Sequence, residues 1–297
     1  MAQLISIVVP VYNGERIVAG CIESLLAVSH ARDDVEIIVV DDGSSDRTRE
    51  VVARYPVTCL PQPKRGAAAA RNLGIRRARG DRVAFTDADC VVRPDWLREM
   101  VKGFTDETVA CVGGAILTPP PATDLEWYAH RFNPISQENA ITDRVVLFPH
   151  VITANAMFRK DIFDRVGYFD ERFPAAGGED LDLGWRIHWA GFTMRYVPAA
   201  QVEHRHKSRL RQLFKQHYRY GYAWTVIVRK HREMFRNAGP SFWGVYPADI
   251  RALRAAVSGW ACAAWSAGLT RETKFRFYGI VRQMGEYSGK FVAAVTR

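Results

Sequence analysis

The first 117 residues alternate short apolar runs rich in Val and Ile with segments whose apolar residues recur at helical spacing. Short apolar runs bounded by Pro, Gly or Asp are typical of strands buried on both faces. Since strands that alternate with helices form a parallel sheet covered by helices, this order predicts an α/β fold. The predicted strands are 4–9, 35–40, 57–60, 82–86 and 109–117, and the predicted helices are 14–28, 45–55, 67–79 and 96–104.

The pattern becomes less regular after the three prolines at 119–121. We predict helices over 125–140, 161–166 and 179–190, strand structure within 145–158, and short strands over 194–197 and 201–204. The rest is predicted to be mostly helical, roughly over 208–236, 247–268 and 271–294. The longest apolar stretch, 255–269, is too short to cross a bilayer as a helix, which favours a buried or interfacial helix.

Acidic side chains follow two of the predicted strands, where ligands bind in open parallel sheets. Asp41 and Asp42 follow the second strand, and Asp87 and Asp89 follow the fourth. Paired carboxylates suit a hard divalent cation, which in turn binds phosphate oxygens. The sequence has no dinucleotide fingerprint and no P-loop. A metal–diphosphate site and a solvated, Asp-rich turn both fit this pattern.

An ordered set of motifs favours the metal–diphosphate site over the solvated turn. These motifs and their order closely resemble those of the family 2 glycosyltransferases. That resemblance implies the GT-A fold, a Rossmann-like, mostly parallel sheet flanked by helices. It extends from residue 4 to about 220, and no single motif carries it alone. The motifs are Val8-Val9-Pro10-Val11-Tyr12-Asn13-Gly14, Val39-Val40-Asp41-Asp42-Gly43-Ser44-Ser45-Asp46, Gly66 to Gly74 with Ala70-Arg71-Asn72, Phe85-Thr86-Asp87-Ala88-Asp89, Thr153-Ala154-Asn155-Ala156-Met157, Gly178 to Arg186 with Glu179-Asp180, and His204-Arg205-His206.

The resemblance implies a nucleotide-sugar donor, most simply a UDP-sugar, bound at the ends of the first strands. It assigns Pro10, Tyr12 and Glu15 to the base and ribose, with Tyr12 stacking on or flanking the base. Asp42 would accept hydrogen bonds from the base or ribose, whereas Asp41 is interpreted as structural. The basic side chain assigned to the base or diphosphate is Arg71; Lys64 and Arg65 stay open as loop charges.

The same resemblance implies a divalent metal cofactor, Mn²⁺ or Mg²⁺. Asp89 is the expected direct ligand, while Asp87 contacts ribose, metal-bound water or the metal. His204 completes the site, although His206 lies on the same side of a strand and stays open as an alternative. Surface histidines without a ligand role are the simpler alternative for both.

Asp180 matches the general base of the family and would take the proton from an acceptor hydroxyl. A single displacement then inverts the anomeric configuration. Glu179 and Trp185 are assigned to acceptor binding. Without the resemblance, Asp180 would be read as a carboxylate that stabilises the start of a helix through its dipole.

The resemblance also sets the expected domain organisation. Residues 1–206 are the GT-A catalytic domain, divided into a nucleotide-sugar half over about 1–117 and an acceptor half over about 118–206. Residues 207–297 form a basic, aromatic-rich helical extension. The Q-x-x-R-W element of processive synthases is missing from the sequence, which favours non-processive transfer of one or a few sugars.

Charge divides the chain at nearly the same place. Residues 1–203 carry 23 basic and 28 acidic side chains, whereas residues 204–297 carry 18 basic and 4 acidic ones. Basic residues interleaved with aromatics suit an anionic membrane surface, and a lipid-linked or cell-envelope glycan acceptor would fit that location. A helical subdomain that packs its aromatics on the catalytic core, with a solvated basic face, is the alternative.

The five cysteines form no C-x-x-C motif, and the N-terminus has no basic region or cleavage site typical of a signal peptide. These features predict a cytoplasmic protein, with peripheral attachment to the inner face of the cytoplasmic membrane as a hypothesis.

Two other functions are compatible with parts of the sequence pattern. A sugar nucleotidyltransferase needs a glycine-rich, basic loop after the first strand, which residues 11–15 do not provide. The second alternative is a non-enzymatic protein that binds an anionic polymer through its basic tail. No RNP, KH or helix-turn-helix signature supports nucleic acid as a partner.

Overall fold

The computed structural model describes residues 4–29, 34–132, 136–142, 148–173, 177–204, 209–235, 247–267 and 270–295. Over these ranges the chain forms eight strands and eleven α-helices, with one 3-10 turn at Arg232–Phe235. The strands are β1 (Ile5–Val11), β2 (Val35–Asp41), β3 (Thr58–Pro61), β4 (Arg82–Thr86), β5 (Cys90–Val92), β6 (Val109–Leu117), β7 (Asn155–Arg159) and β8 (Thr193–His204). The helices are α1 (Val18–Leu26), α2 (Thr48–Val52), α3 (Ala67–Arg77), α4 (Trp96–Lys102), α5 (Asp124–Phe132), α6 (Gln137–Thr142), α7 (Asp161–Val166), α8 (Glu179–Trp189), α9 (Leu210–Lys230), α10 (Pro247–Ala267) and α11 (Arg271–Val295).

The strands form one sheet in the order β3-β2-β1-β4-β7-β6-β8-β5. The first four strands in this order are parallel to one another, and β6 is parallel to β8. Because parallel neighbours end at the same edge, the segments after β1, β2 and β4 meet at one edge of the sheet. The α/β fold predicted from the strand–helix alternation is confirmed, and its C-terminal part is helical as expected.

Two strands run against this direction, which the sequence pattern did not predict. β7 is antiparallel to β4, with Thr86 opposite Asn155, and β5 is antiparallel to β8, with Cys90 opposite His204. Residues 193–204, predicted in part as two short strands, form one strand whose register shifts opposite Gly114. These pairings place Asn155 opposite the end of β4, just before Asp87, and His204 opposite the start of β5, just after Asp89.

The helical prediction over 125–140 was wrong in its extent, because α5 ends at Phe132 and α6 begins at Gln137. Within the predicted strand region 145–158, the described residues contain a strand only from Asn155 onward. His206, the alternative metal ligand, and Arg205 lie outside the described residues.

Apolar side chains cover both faces of the sheet. Ile7 and Val9 of β1 pack in a cluster with α1 and α4, whereas Val8 packs in a second cluster with α3, α7 and α8. This alternation follows from the two-residue period of a strand. The central strands are therefore buried on both faces, and polar chemistry is confined to their ends.

All five cysteines are free thiols. Cys21, Cys90 and Cys111 are buried, and burial raises the pKa of each well above that of an ordinary thiol. The Cys21 thiol donates a hydrogen bond to the Asp87 carbonyl oxygen at 3.5 Å. Cys262 on α10 is exposed.

The chain divides into two compact units, one of residues 1–119 with 135–205 and one of residues 120–134 with 206–297. The first contains the whole sheet. Residues 120–134, assigned by sequence to the acceptor half, cluster in the second unit, and the division into donor and acceptor halves stays a prediction.

The second unit has its own polar and aromatic contacts. Asp124 pairs with Arg271 at 3.1 Å and with Lys274 at 2.8 Å, and the Tyr128 ring packs edge-on against Tyr278. Among the described helices, none combines the length and the apolar character needed to cross a membrane.

Candidate active site

The ends of β1 and β2 form the first part of a polar edge. Tyr12 directly follows β1, and its side chain is 44% exposed. The Lys64 ammonium lies 3.9 Å from the centre of its ring, a cation–π contact. Pro10 is half-buried, and the Glu15 carboxylate lies 3.6 Å from Arg47. These three residues, assigned by sequence to the base and ribose, lie on one short segment with Tyr12 open to solvent.

Asp42 is buried and holds the loop over residues 62–66. One carboxylate oxygen accepts hydrogen bonds from the Gln62 amide and the Arg65 backbone at 2.7 Å, and the other accepts from the Gly66 backbone at 2.9 Å. Gly43 adopts φ 73°, and a Cβ there would lie 2.8 Å from the Lys64 backbone nitrogen. Asp42 therefore fixes the loop that presents Lys64, a structural role that its sequence assignment to the base or ribose did not include.

Asp41 is buried as well and accepts a hydrogen bond from the Ser44 backbone at 3.2 Å. This contact agrees with its interpretation as a structural carboxylate.

Arg71, at 3% exposure, joins two parts of the edge that are distant in sequence. Its guanidinium donates to Glu179 at 2.6 Å and to Asp87 at 3.1 Å. The ring of Phe169 lies under it, 5.8 Å from centroid to Cζ. The neighbouring Asn72 donates to the Phe169 carbonyl at 2.8 Å and accepts from its backbone N–H at 3.0 Å. The Ala-Arg-Asn motif thus fixes a buried cation between two carboxylates.

Glu179 and Asp180 begin α8. The Glu179 side chain is 2% exposed, and its second oxygen accepts a hydrogen bond from the Gly177 backbone at 2.7 Å. Asp180 is half-buried and accepts from the Leu181 backbone at 2.9 Å. Burial raises the pKa of both carboxyls, and the charge of Arg71 opposes that rise. A carboxylate with a raised pKa is a stronger base than an ordinary one, which suits it to accept a proton.

Asp89 and His204 approach each other because β5 pairs with β8. The His204 Nε2 atom lies 3.4 Å from an Asp89 oxygen. Ligand atoms of Asp89, Cys90 and His204 lie within 4.8 Å of one another. A carboxylate oxygen and an imidazole nitrogen are ligands that Mn²⁺ accepts, so these residues fit a divalent metal.

Two of the side chains assigned by sequence are buried in the structure. Glu179 and Trp185 were assigned to acceptor binding, but Trp185 is fully buried and packs against Phe148 and Trp189 at centroid distances of 5.5 and 5.9 Å. Glu179 is buried with both oxygens engaged. Neither side chain presents a surface to an acceptor, whereas Trp189 is 38% exposed.

Asn155 is a further residue of the site region, to which the sequence interpretation gave no role. Its amide donates to the Ala115 and Ala200 carbonyls at 2.8 and 2.9 Å, and its oxygen accepts from the Trp96 indole at 2.7 Å. It therefore ties β6, β8 and α4 to the end of β7. The Thr-Ala-Asn motif indicates in the sequence that Asn155 belongs to the site region. A motif does not show whether the amide binds a ligand or holds the strands together.

The eight-stranded sheet with its acidic edge has the GT-A architecture of glycosyltransferases. Residues 6–167 match the profile of glycosyl transferase family 2, and the chain belongs to this family. The family and fold expected from the motifs are confirmed.

Relatives and solved structures agree with this assignment. The chain is 31% identical over 243 residues to a pre-mycofactocin glycosyltransferase of Mycobacterium tuberculosis, covering 76% of this chain and 48% of that protein. It is 30% identical over 224 residues to a validoxylamine A glucosyltransferase of Streptomyces hygroscopicus, covering 64% of this chain and 49% of that one. The chain thus spans about half the length of these relatives.

Two solved structures share the fold. One is the mannosyltransferase PcManGT of Pyrobaculum calidifontis in complex with GDP-Man and Mn²⁺, with a TM-score of 0.67 and 20% identity over 96% of this chain and 87% of that one. The other is GalNAc-T7 with UDP, GalNAc and Mn²⁺, with a TM-score of 0.57 and 17% identity over 77% of this chain and 48% of that one.

Proposed function

We propose that this glycosyltransferase is an inverting, metal-dependent enzyme that moves a sugar from a nucleotide-diphosphate donor to an acceptor hydroxyl without processive elongation. The observation that carries the proposal is the half-buried Asp180 carboxylate, whose pKa burial raises, next to the ion-pair chain from Glu179 through Arg71 to Asp87. In this proposal the proton acceptor and a cationic group act at the same edge as the acidic pair Asp87 and Asp89.

In the proposed reaction Asp180 takes the proton from the acceptor hydroxyl while that oxygen attacks the anomeric carbon. The nucleoside diphosphate leaves from the opposite face, so the configuration inverts. Tyr12 offers its exposed ring to the base beside Lys64, and Pro10 and Glu15 of the same segment are assigned to the base and ribose. Arg71 orients Asp87 towards the donor.

Asp89 and His204, with Asp87, would hold Mn²⁺ or Mg²⁺. When bound, the metal would offset the charge that develops on the leaving diphosphate. A UDP-sugar is the first donor to test. GDP-sugars follow closely, because PcManGT, which shares the fold, was solved with GDP-Man and GalNAc-T7 with UDP.

The donor is identified by melting the full chain with UDP-, GDP- and dTDP-sugars, each with and without Mn²⁺. A ligand that binds the folded state alone raises the melting temperature, by an amount that grows with its concentration over its Kd. We expect one nucleotide class to give a shift that depends on Mn²⁺. Equal curves for every donor, with and without Mn²⁺, contradict the proposed function.

We further propose that the second unit attaches the enzyme to the inner face of the cytoplasmic membrane, where a lipid-linked or cell-envelope glycan would be the acceptor. Exposed basic side chains support this. So does α10, whose exposed side chains between residues 255 and 262 are uncharged. The exposed basic residues of α9 and α10 include Arg211, Lys215, Arg251 and Arg254.

Flotation with vesicles tests this attachment. The full chain should float with vesicles of anionic lipid and remain at the bottom with neutral ones. Arg251→Glu with Arg254→Glu should weaken vesicle binding by about 30-fold or more, because each basic residue near an anionic surface contributes about 1 kcal/mol. The matched control reverses Arg98 and Lys102 on α4, which are also exposed. If the wild-type chain does not float, or both variants behave alike, the attachment is wrong.

A further inference from the structure

Arg71 and Glu179 form an ion pair that solvent does not reach. The side chains are 3% and 2% exposed, and their nearest atoms lie 2.6 Å apart. Charges removed from water are tolerated only when they are paired and hydrogen-bonded, and removal of one partner leaves the other uncompensated. A buried ion pair next to the acidic edge can hold the neighbouring side chains in place.

The pair joins two helices whose paired residues are 108 positions apart in the sequence. Arg71 belongs to α3, where the Phe169 ring and the Asn72 amide fix its surroundings. Glu179 is the first residue of α8 and is followed at once by Asp180. The other side of the guanidinium contacts Asp87 at 3.1 Å. One cation therefore links the acidic end of β4 to the helix start that carries the base.

We propose that Glu179 is a positioning residue, which holds Arg71 and through it sets both the orientation of Asp87 and the place of Asp180. The proposal rests on the proposed function of Asp180 and Asp87, and it replaces the acceptor-binding role that the sequence suggested for Glu179.

The hydrogen bonds of Glu179 explain why this position needs a carboxylate. One oxygen accepts from Arg71 and the other from the Gly177 backbone at 2.7 Å. A glutamine would turn its NH₂ group towards one of these two donors, because an amide has a single acceptor atom. Glu179→Gln therefore breaks one contact of the pair even though the side chain keeps its shape.

Charge adds a second consequence. In the native arrangement the positive charge of Arg71 is shared between Glu179 and Asp87, with Asp180 nearby. Without the negative charge of Glu179, the guanidinium is compensated by Asp87 and Asp180 alone. Asp87 is then held more tightly by Arg71 and is less available for Mn²⁺, while Asp180 is drawn out of place.

The test measures donor hydrolysis, with water as the acceptor, by the donor that gives the Mn²⁺-dependent melting shift. No glycan acceptor is present, so a residue that only binds the acceptor leaves this rate unchanged. For Glu179→Gln we expect kcat to fall about 10- to 100-fold, the range for residues that orient metal ligands. Mn²⁺ affinity in the presence of UDP or GDP, measured from free Mn²⁺ by electron paramagnetic resonance, should fall about as much.

Asp182→Asn is the matched control. Asp182 lies in the same first turn of α8, is fully buried and pairs with Arg186 at 3.0 Å, but Arg186 binds the carbonyls of residues 167 and 168 instead of the acidic edge. This variant should melt at a lower temperature, yet keep kcat and Mn²⁺ affinity within about 3-fold, because the ion pair that it weakens, with Arg186, orients no proposed metal ligand.

A second variant separates positioning from stability. Arg71→Met with Glu179→Met removes both charges, which often restores or improves the stability of a buried pair. We expect its melting temperature to recover relative to Glu179→Gln while kcat and Mn²⁺ affinity stay low. Recovery of kcat together with stability contradicts the proposal, as does a Glu179→Gln enzyme with normal hydrolysis. If the wild-type chain hydrolyses no donor and shows no Mn²⁺-dependent shift, the proposed function itself has failed.

Discussion

Asp180→Asn should reduce sugar transfer by about 100- to 10,000-fold, the range that a positioned general base contributes. Donor binding should survive, because the asparagine keeps the size of the side chain and its oxygen can still accept from the Leu181 backbone. The measurement pairs the release of nucleoside diphosphate with the donor-induced melting shift. Loss of the rate with retention of the shift identifies Asp180 as a residue of the chemical step.

The same variant should melt at a higher temperature than the wild type at pH values above the raised pKa of the Asp180 carboxyl. Burial raises the pKa of Asp180 in the folded state, so the folded protein binds more protons than the unfolded chain between the two pKa values. Stability therefore falls as pH rises from the ordinary pKa of an aspartate through the raised one, and the ionised carboxylate remains a cost above it. Asparagine removes that cost, which is an example of function maintained at the expense of stability.

Asp182→Asn is again the control, because it should lower the melting temperature and leave turnover per folded molecule nearly unchanged. An Asp180→Asn enzyme with full turnover would show that another group accepts the proton. An equal loss of rate in both variants would assign the effect to the start of α8 in general.

Asp89→Asn should abolish the Mn²⁺-dependent part of the donor-induced melting shift and lower turnover about 100-fold or more, because a neutral amide is a weaker ligand for a hard cation than a carboxylate. The small shift that a donor gives without Mn²⁺ should remain. Calorimetric titration of Mn²⁺ in the presence of UDP or GDP gives the same comparison directly.

Asp95→Asn provides the control for Asp89. Asp95 lies six residues further on, and its carboxylate contacts Arg98 on the surface at 3.4 Å. We expect it to behave as wild type in both measurements, since exposed ion pairs contribute little. Normal Mn²⁺ dependence in Asp89→Asn would move the metal to other ligands and contradict the site built from Asp89 and His204.

The strands, the fold and the polar edge were predictable because burial on both faces leaves a plain apolar signal in β1, β2 and β4. The directions of β5 and β7 were not, since strand direction depends on long-range pairing that local pattern does not encode. The approach of His204 to Asp89 is a product of that pairing. The motif identified His204 as a candidate residue, but it did not predict the distance between His204 and Asp89.

Site roles were harder to predict than site membership. Asp42, Glu179 and Asn155 all stand in motifs at the edge, yet each is buried and binds other parts of the protein. Sequence alone does not separate a carboxylate that faces a ligand from one that holds a loop, because both need the same residue type at the same strand end. The burial of each carboxylate in the structure distinguishes the two roles.

The buried thiols next to the acidic edge can be used to measure how often the strand ends open locally. Cys21 and Cys90 lie under Asp87 and Asp89, and their raised pKa values and burial make them inert to alkylating reagents while the edge is closed. Exposed Cys262 reacts throughout and serves as the internal reference. The rate at which Cys21 and Cys90 become labelled relative to Cys262 therefore reports the opening free energy of the strand ends, and ligands that bind there should slow it.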